Sequence, residues 1–439
     1  MTKLRLIPIA LAMSIAVATP AQAQSLVELY EAARAYDAAF QSARSQYEAT
    51  LARAEQSRAG TLPTVNLALA TSRTALESNL RLANPAFGTQ SATVTAAHPL
   101  FRPANWLALE QAQKTLVTAQ SLLQAAEQDL VVRVSVAYFD VLASQDALAF
   151  VGAQKVAVAE QLASAKRNFE VGTSTITDTR EAQARFDLVV AQQIAAENDL
   201  RVKRLALDQL VGKQDATPRL LSLPAALPAL MPEDVNSWVS QALLEHPSLR
   251  QSAIALEIAQ LETQRAQAAN LPTIDITGSY QFAHTEGSAA SRATSNPRTA
   301  SVALAFNMPL FAGYSIQNRV KETLALEDKA RTDLEAARRT VSQATRSAFF
   351  GVSSGQGQVK ALEAAESSSQ SALDANKLGY QVGVRINIDV LNAQSQLFQT
   401  KRDLARARYD VLVGGLRLRQ ANGTLKVEDL QAINQLLVK

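Results

Sequence analysis

Two aspartates stand at matching places in the chain. Asp178 lies six residues after Gly172, and Asp389 lies six residues after Gly383, each following a Val-Gly pair. Tyr380 and Arg385 flank the second of those pairs, and Thr177 precedes the first aspartate. A carboxylate just past a tight turn has two uses. It can cap a starting helix by accepting backbone N–H bonds, or it can make reversible polar contacts with a facing phenol or guanidinium. Both are noncovalent. The residues that covalent or metal chemistry needs are sparse: Cys is 0, and His98, His246 and His284 are scattered. The missing cysteines remove disulfides, thiolate metal sites, thiol nucleophiles and a lipid-modified N-terminal Cys. Gly351, Gly355 and Gly357 with Lys360 resemble a phosphate loop only faintly, because no strand precedes them and the spacing is wrong. They read as a local loosening of a long helix. No acid, base and nucleophile converge, and no cofactor is expected.

The elements that hold the two turns are long helices. The chain has 439 residues, of which 47% are apolar but only 5% aromatic, a balance suited to close helix packing. Lys+Arg 43 against Asp+Glu 40 leaves +3, spread too evenly for a nucleic-acid surface. No proline occurs between Pro103 and Pro218, or after Pro309. Helix is therefore permitted throughout both stretches. Asn105 to Glu170 alone would extend about 100 Å, a length suited to a coiled-coil or tunnel wall. Val390, Leu397, Leu404, Val411 and Leu418 recur every seven residues, with Ala393, Thr400, Ala407, Gly414 and Ala421 as the smaller seam positions. This heptad predicts knobs-into-holes packing on an antiparallel neighbour.

The plan occurs twice, with an offset of about 210 residues. LPTVNLALATS from Leu62 matches LPTIDITGSY from Leu271, and HPLFRP from His98 matches MPLFAG from Met308. NFEVGTSTITDTREAQARF from Asn168 matches GYQVGVRINIDVLNAQSQLF from Gly379. On that alignment the seam residues Val390, Leu397, Leu404 and Leu418 fall on Thr179, Phe186, Gln193 and Leu207. Each half reads helix, strand, loop, strand, long helix, turn, helix. Strands are expected at Leu62–Ser72 with Ala92–Phe101 and at Leu271–Ala283 with Thr299–Phe311, separated by polar loops Arg73–Ser91 and Glu286–Arg298. Their alternation and their length of about ten residues suit tilted membrane strands. Tyr280, Phe282, Phe306, Phe311 and Tyr314 fit an interfacial girdle and barrel-to-tube packing. Four strands cannot close a barrel, and lipid does not tolerate an open sheet edge. Three copies would supply about twelve strands.

Lys3 and Arg5, the apolar run Leu6 to Val17 and Ala21-Gln22-Ala23 form a secretory leader. The mature chain is expected to start near Gln24, beyond the inner membrane, and no later stretch is expected to be a transmembrane helix. The organisation expected is leader 1–23, first repeat 24–212, linker 213–247, second repeat 248–423 and C-terminal segment 424–439. The return helix to Leu210 is little more than half its long partner, and an Ala38–Arg58 helix fits the remainder. The N-terminus, the Pro-rich Lys213–Pro232 linker and the C-terminus then meet near the middle of a helical tube.

The duplicated plan, the LPT strand starts, the PLF elements and the paired FEVG…ITD and GYQVG…IDV turns resemble the TolC family of outer-membrane export channels over essentially the whole mature chain. The resemblance implies a mixed α/β membrane protein: a homotrimer whose 12-stranded β-barrel, four strands per chain, is continued into the periplasm by an antiparallel α-helical coiled-coil barrel. It implies an outer-membrane location, a periplasmic adaptor (membrane fusion protein) and an inner-membrane ABC or RND transporter as partners, and no catalytic centre. It also implies a periplasmic gate in which Tyr380 bonds Asp178 and Arg385 bonds the Thr177 backbone or a neighbouring chain. Asp389 would line a constriction ring, with Asn392 where the family carries a second carboxylate, so strong cation selectivity is in doubt. The cargo, drug or protein, is not written in the chain. A soluble periplasmic coiled-coil adaptor or scaffold also accounts for the heptads and stays open at this point.

Overall fold

The computed structural model describes residues 23–77, 79, 82–222 and 227–438. The expected leader lies outside the described residues up to position 22. The two halves have nearly equal parts. In the first, α1 (Leu26–Tyr36) and α2 (Ala38–Arg58) lead to β1 (Thr64–Ala75), β2 (Ala86–Phe101), α3 (Pro103–Glu170) and α4 (Ile176–Val211). In the second, α5 (Val235–Glu245) and α6 (Pro247–Ala268) lead to β3 (Thr273–Thr285), β4 (Arg298–Asn307), α7 (Ser315–Gln381) and α8 (Asn387–Ala421), and α9 (Glu428–Asn434) closes the chain. α3 and α7 have 68 and 67 residues, about 100 Å each. Along α3 pack α4 and α2, and along α7 pack α8 and α6. Two shorter helices thus cover one long one, with α2 at the expected Ala38–Arg58.

The strands form one antiparallel sheet in the order β1-β2-β3-β4, so β1 and β4 are its edges. Register sorts the side chains into two faces. Leu67 pairs with Val94, Val94 with Tyr280, and Ile276 with Leu304. Because side chains alternate, Val65, Leu67, Leu69, Tyr280, Phe282, Val302, Leu304 and Phe306 share one face. The other carries Asn66, Ser72, Thr93, Thr95, Ser279, Gln281, Ser301 and Ala303. Val302, Leu304 and Phe306 are 80%, 67% and 61% exposed on the single chain, so this apolar face is uncovered. β1 and β2 run beyond the expected ends, to Ala75 and from Ala86, because Arg73–Ala75 pair with Ala86–Gly88 and Thr89–Ser91 pair with Ala283–Thr285. The first loop is correspondingly shorter. β4 instead stops at Asn307, before Pro309, whose ring nitrogen has no donor for a ladder.

The largest core lies midway along the tube. Leu26, Leu29, Tyr30 and Ala33 of α1 pack with Leu130 to Leu142 of α3, Leu207 of α4, Leu412 and Leu416 of α8, and Leu430, Ile433 and Leu437 near the C-terminus. Phe139 stacks on Tyr409, ring centroids 5.6 Å apart. The Tyr409 hydroxyl donates to Asp146 at 2.6 Å, which ties α8 to α3. This core corrects one expectation: α3 does contain a stretch apolar and long enough to cross a membrane. The buried apolar residues of α3 from Leu130 to Leu142 belong to the mid-tube core, packed against α1, α4, α8 and the C-terminal segment.

The heptad seam holds. Val390, Leu397, Leu404, Val411 and Leu418 are all buried. Leu404 and Val411 cluster with Val359, Leu418 with Val352 and Phe349, and Val390 and Leu397 with Leu373, all on α7. The expected loosening at Gly351–Gly357 does not occur, since α7 is continuous there. A Cβ at Gly355 would stand 3.0 Å from Val411 Cγ2, and one at Gly414 would stand 3.3 Å from Val352 Cγ2. These glycines admit the facing knobs. In the first half the expected Leu207 is buried and Phe186 packs against the core, while Ala182, Val189 and Leu200 carry the rest of the seam. Gln193, the counterpart of Leu404, donates its amide to Glu197 at 2.8 Å.

Candidate functional site: the paired helix turns

Both long helices end in the same way. Gly172 and Gly383 take φ of 77° and 76°, a left-handed conformation that a side chain would strain. Gly172 N donates to Phe169 O at 3.0 Å and Thr173 N to Asn168 O at 2.8 Å. Gly383 N donates to Tyr380 O at 3.2 Å and Val384 N to Gly379 O at 2.9 Å. This is the paired-bond stop that satisfies the last carbonyls of a helix and turns the chain sharply. The Val-Gly pairs are therefore reversal points at one end of the tube.

The restarts differ, and the difference separates the two aspartates. α4 begins from Thr175, whose hydroxyl accepts from Asp178 N at 3.2 Å while Asp178 Oδ2 accepts from Thr175 N at 3.0 Å. The Ser174 and Thr175 hydroxyls also donate to Asp178 Oδ2, at 3.1 and 2.9 Å. Partial burial pushes the Asp178 carboxyl up, but the bonds from the Thr175 N–H, the Thr175 hydroxyl and the Ser174 hydroxyl outweigh it and hold it below the usual carboxylate range. Asp178 is a capping-box residue. α8 begins from Ile386, which has no side-chain oxygen to offer. Asp389 is left half-exposed, 3.7 Å from Arg385 of its own helix turn. Asn392, one turn on, is exposed and accepts from Arg185 of α4 at 2.8 Å.

Within the chain the expected Tyr380–Asp178 bond is not made. The Tyr380 hydroxyl accepts instead from Asn168 Nδ2 at 3.2 Å, and the Asp178 carboxylate is engaged in its own cap. Arg385 pairs with Asp389, and Thr177 is exposed. What joins the two turns is a set absent from the sequence reading. Buried Asn387 bonds Gln161 of α3 and donates to the Asp178 carbonyl at 3.5 Å. Asn168–Tyr380 and Arg185–Asn392 complete the ties. Beneath them, Leu391 packs against Val158, Leu162, Ala165, Ala182 and Val189. Among the described residues no group of His, Asp and Glu is arranged to hold a metal ion. The site can make and break polar contacts and present a carboxylate.

A family model of outer membrane efflux proteins matches residues 29–213 and 238–424, one run in each half. The chain belongs to the outer membrane efflux protein family. It is 31% identical over 418 residues to the outer membrane protein TolC of Vibrio cholerae, a match covering 94% of this chain and 93% of that one. It is also 31% identical over 350 residues to the alkaline protease secretion protein AprF of Pseudomonas aeruginosa, covering 78% and 71% of the two chains. Among solved structures, the outer membrane protein VceC of Vibrio cholerae superposes with a TM-score of 0.78 at 18% identity, covering 91% of this chain and 96% of that one. As an outer membrane efflux protein, the chain is a transport protein of the outer membrane and not an enzyme. Its fold, a four-stranded sheet continued by long antiparallel helices, is shared with VceC. The family match sets the soluble-adaptor alternative aside.

Proposed function

We propose that three copies of the chain form one exit duct, in which the sheets close a 12-stranded barrel in the outer membrane and the helices form a tube through the periplasm. The observation that carries this reading is the sheet. Its apolar face is uncovered and both edge strands are unpaired in one chain, a combination that lipid tolerates only after closure with other copies. On this reading the Val65, Leu67, Leu304 and Phe306 face meets lipid and the Ser, Thr and Asn face lines the lumen. Efflux and secretion are both represented among similar proteins, including AprF and the outer membrane efflux protein BepC of Brucella suis. The duct therefore works with an inner-membrane transporter of the ABC or RND class and a periplasmic adaptor, which supply the energy and the link. A detergent-resistant, heat-dissociable trimer in the outer-membrane fraction is the expected result. A soluble monomer would overturn the reading.

The turns at the far end of the tube form the gate. Tyr380, Arg385 and the exposed Thr177 are available for contacts across the closed end, and Asp178 sets the shape of its turn. Asp389 contributes one carboxylate per chain to the constriction, with Asn392 held by Arg185 beside it. A few polar bonds of roughly 0.5–1.5 kcal/mol each can open without unfolding the tube. Tyr380→Phe with Arg385→Ser is expected to raise single-channel conductance in planar bilayers while trimer yield stays unchanged. Asp389→Asn is expected to reduce cation preference and block by multivalent cations. Unchanged conductance would remove the gate assignment, and unchanged selectivity would remove the ring.

A further inference from the structure

The mature N-terminus sits in a built niche at the middle of the tube. Gln24 forms a parallel bridge with Pro218 of the linker. Its N–H donates to Thr217 O at 2.7 Å, and its carbonyl accepts from Arg219 N at 3.1 Å and from the Tyr138 hydroxyl at 3.4 Å. Arg219 Nε donates to Ala23 O at 2.9 Å, an acceptor bonded to the carbon next to the Gln24 nitrogen. The Gln24 side-chain oxygen is buried with no hydrogen-bond partner. Cleavage after Ala21-Gln22-Ala23 would change this niche in two ways. It removes the acceptor of Arg219 Nε, and it leaves an α-ammonium beside the Arg219 guanidinium. Glu28 accepts from Ser25 N at 3.1 Å and lies 4.0 Å from Arg219 itself.

We propose that the mature chain carries a pyroglutamate at Gln24, and that the niche of Thr217, Arg219 and Tyr138 is built for that neutral, cyclic terminus. The α-nitrogen attacks the side-chain amide carbon. The new N–C bond closes a five-membered lactam, the bond to the amide nitrogen breaks, and ammonia leaves with the proton given up by the α-amine. No oxidant or cofactor enters. The ring presents one N–H and one C=O to the niche and leaves the Gln24 carbonyl for Arg219 N and Tyr138. The former side-chain oxygen stays on its carbon, now bonded to the α-nitrogen, as an acceptor for a niche that has lost the Ala23 carbonyl, and the like-charge contact with Arg219 is abolished. Closure takes place on the exported chain before it docks, since in the folded chain the Gln24 nitrogen is already committed to Thr217.

The inference rests on the leader ending at Ala23 and not on the duct reading. Its test is the intact mass of the processed protein taken directly from outer membranes, with fragmentation of the N-terminus. The expected species is residues 24–439, lighter by one ammonia, unreactive to amine labelling at the terminus, and deprived of its first residue by pyroglutamyl aminopeptidase only after the protein is denatured. Residues 24–439 at full mass with an amine-labelled Gln24 would overturn the proposal. A chain starting at any other residue would overturn it through the leader and leave the duct reading standing. Release of the terminal residue from the folded protein would overturn the niche.

Discussion

Asp178 and Asp389 occupy equivalent places in the two repeats yet have different surroundings, and one residue three positions earlier decides it. Thr175 supplies the hydroxyl that completes a reciprocal cap with Asp178, whereas Ile386 leaves Asp389 without one. A lost cap costs about 0.5–2 kcal/mol, so Asp178→Ala is expected to loosen the first turn of α4, read as faster amide exchange at residues 175–179 with the rest of the tube unchanged. The sign of its pH dependence follows from the lowered carboxyl. A group whose folded value lies below its unfolded one stabilises above the unfolded value and loses that contribution as pH falls through the folded one. Protection of that turn should therefore hold at neutral pH and fall on acidification below the usual carboxylate range, and Asp178→Ala should show no such step. This asymmetry is local, although the sequence reading treated the two aspartates alike: Thr-x-x-Asp is a helix-start pattern, and Ile386 breaks it. The ties between the turns are not local. Asn168 with Tyr380, Gln161 with Asn387 and Arg185 with Asn392 are each separated by more than two hundred residues, and no periodicity encodes how one hairpin docks on the other.

Helices and strands followed from periodicity wherever one neighbour set the packing. The α8 seam was readable because α7 lies along it and the seam residue of every heptad faces that neighbour. Leu404→Asp would bury an unpaired charge there at a cost of several kcal/mol, and loss of trimer from the membrane fraction is the expected outcome. Normal trimer yield would show that the seam is not packed in the assembly. The glycines of α7 misled for the same reason: a residue lacking a side chain reads as a weak helix former, while its use at Gly355 is visible only once Val411 is opposite. Strand ends were misjudged because Thr, Ser and Gln at positions 89–91 look like loop residues, yet they pair on both sides. The sheet's two faces give a sharper test than its ends. Arg at a lipid-facing position near the bilayer midplane costs roughly 2–4 kcal/mol, so Leu304→Arg should sharply reduce assembled protein while Ala303→Arg is tolerated. Equal tolerance at both positions would mean that β4 does not face lipid.

For the whole molecule, the single chain is unfinished at the sheet and nearly complete elsewhere. The mid-tube core gathers both termini and the linker within one chain, whereas β1 and β4 each present a row of backbone donors and acceptors to nothing in that chain. With four antiparallel strands, β4 of one copy and β1 of the next run in opposite directions, so the ladder can continue around a closed barrel without a break in pattern. Proline distinguishes a free edge from a paired one, because it removes one N–H and is tolerated in a strand only where that N–H points away from a partner. On an edge strand, successive N–H groups alternate between the neighbouring strand and the outside. Of Ala303→Pro and Leu304→Pro, one therefore cuts the bond to β3 and the other cuts only a bond to a second copy. If β4 stayed an open edge, one of the two substitutions would be nearly harmless. A closed barrel uses both sides of β4, so both substitutions are expected to abolish the heat-dissociable trimer, while the inner pair at Val94 and Thr95 of β2 should behave alike in either case. Full trimer yield from either β4 variant would mean that the barrel does not close through this edge.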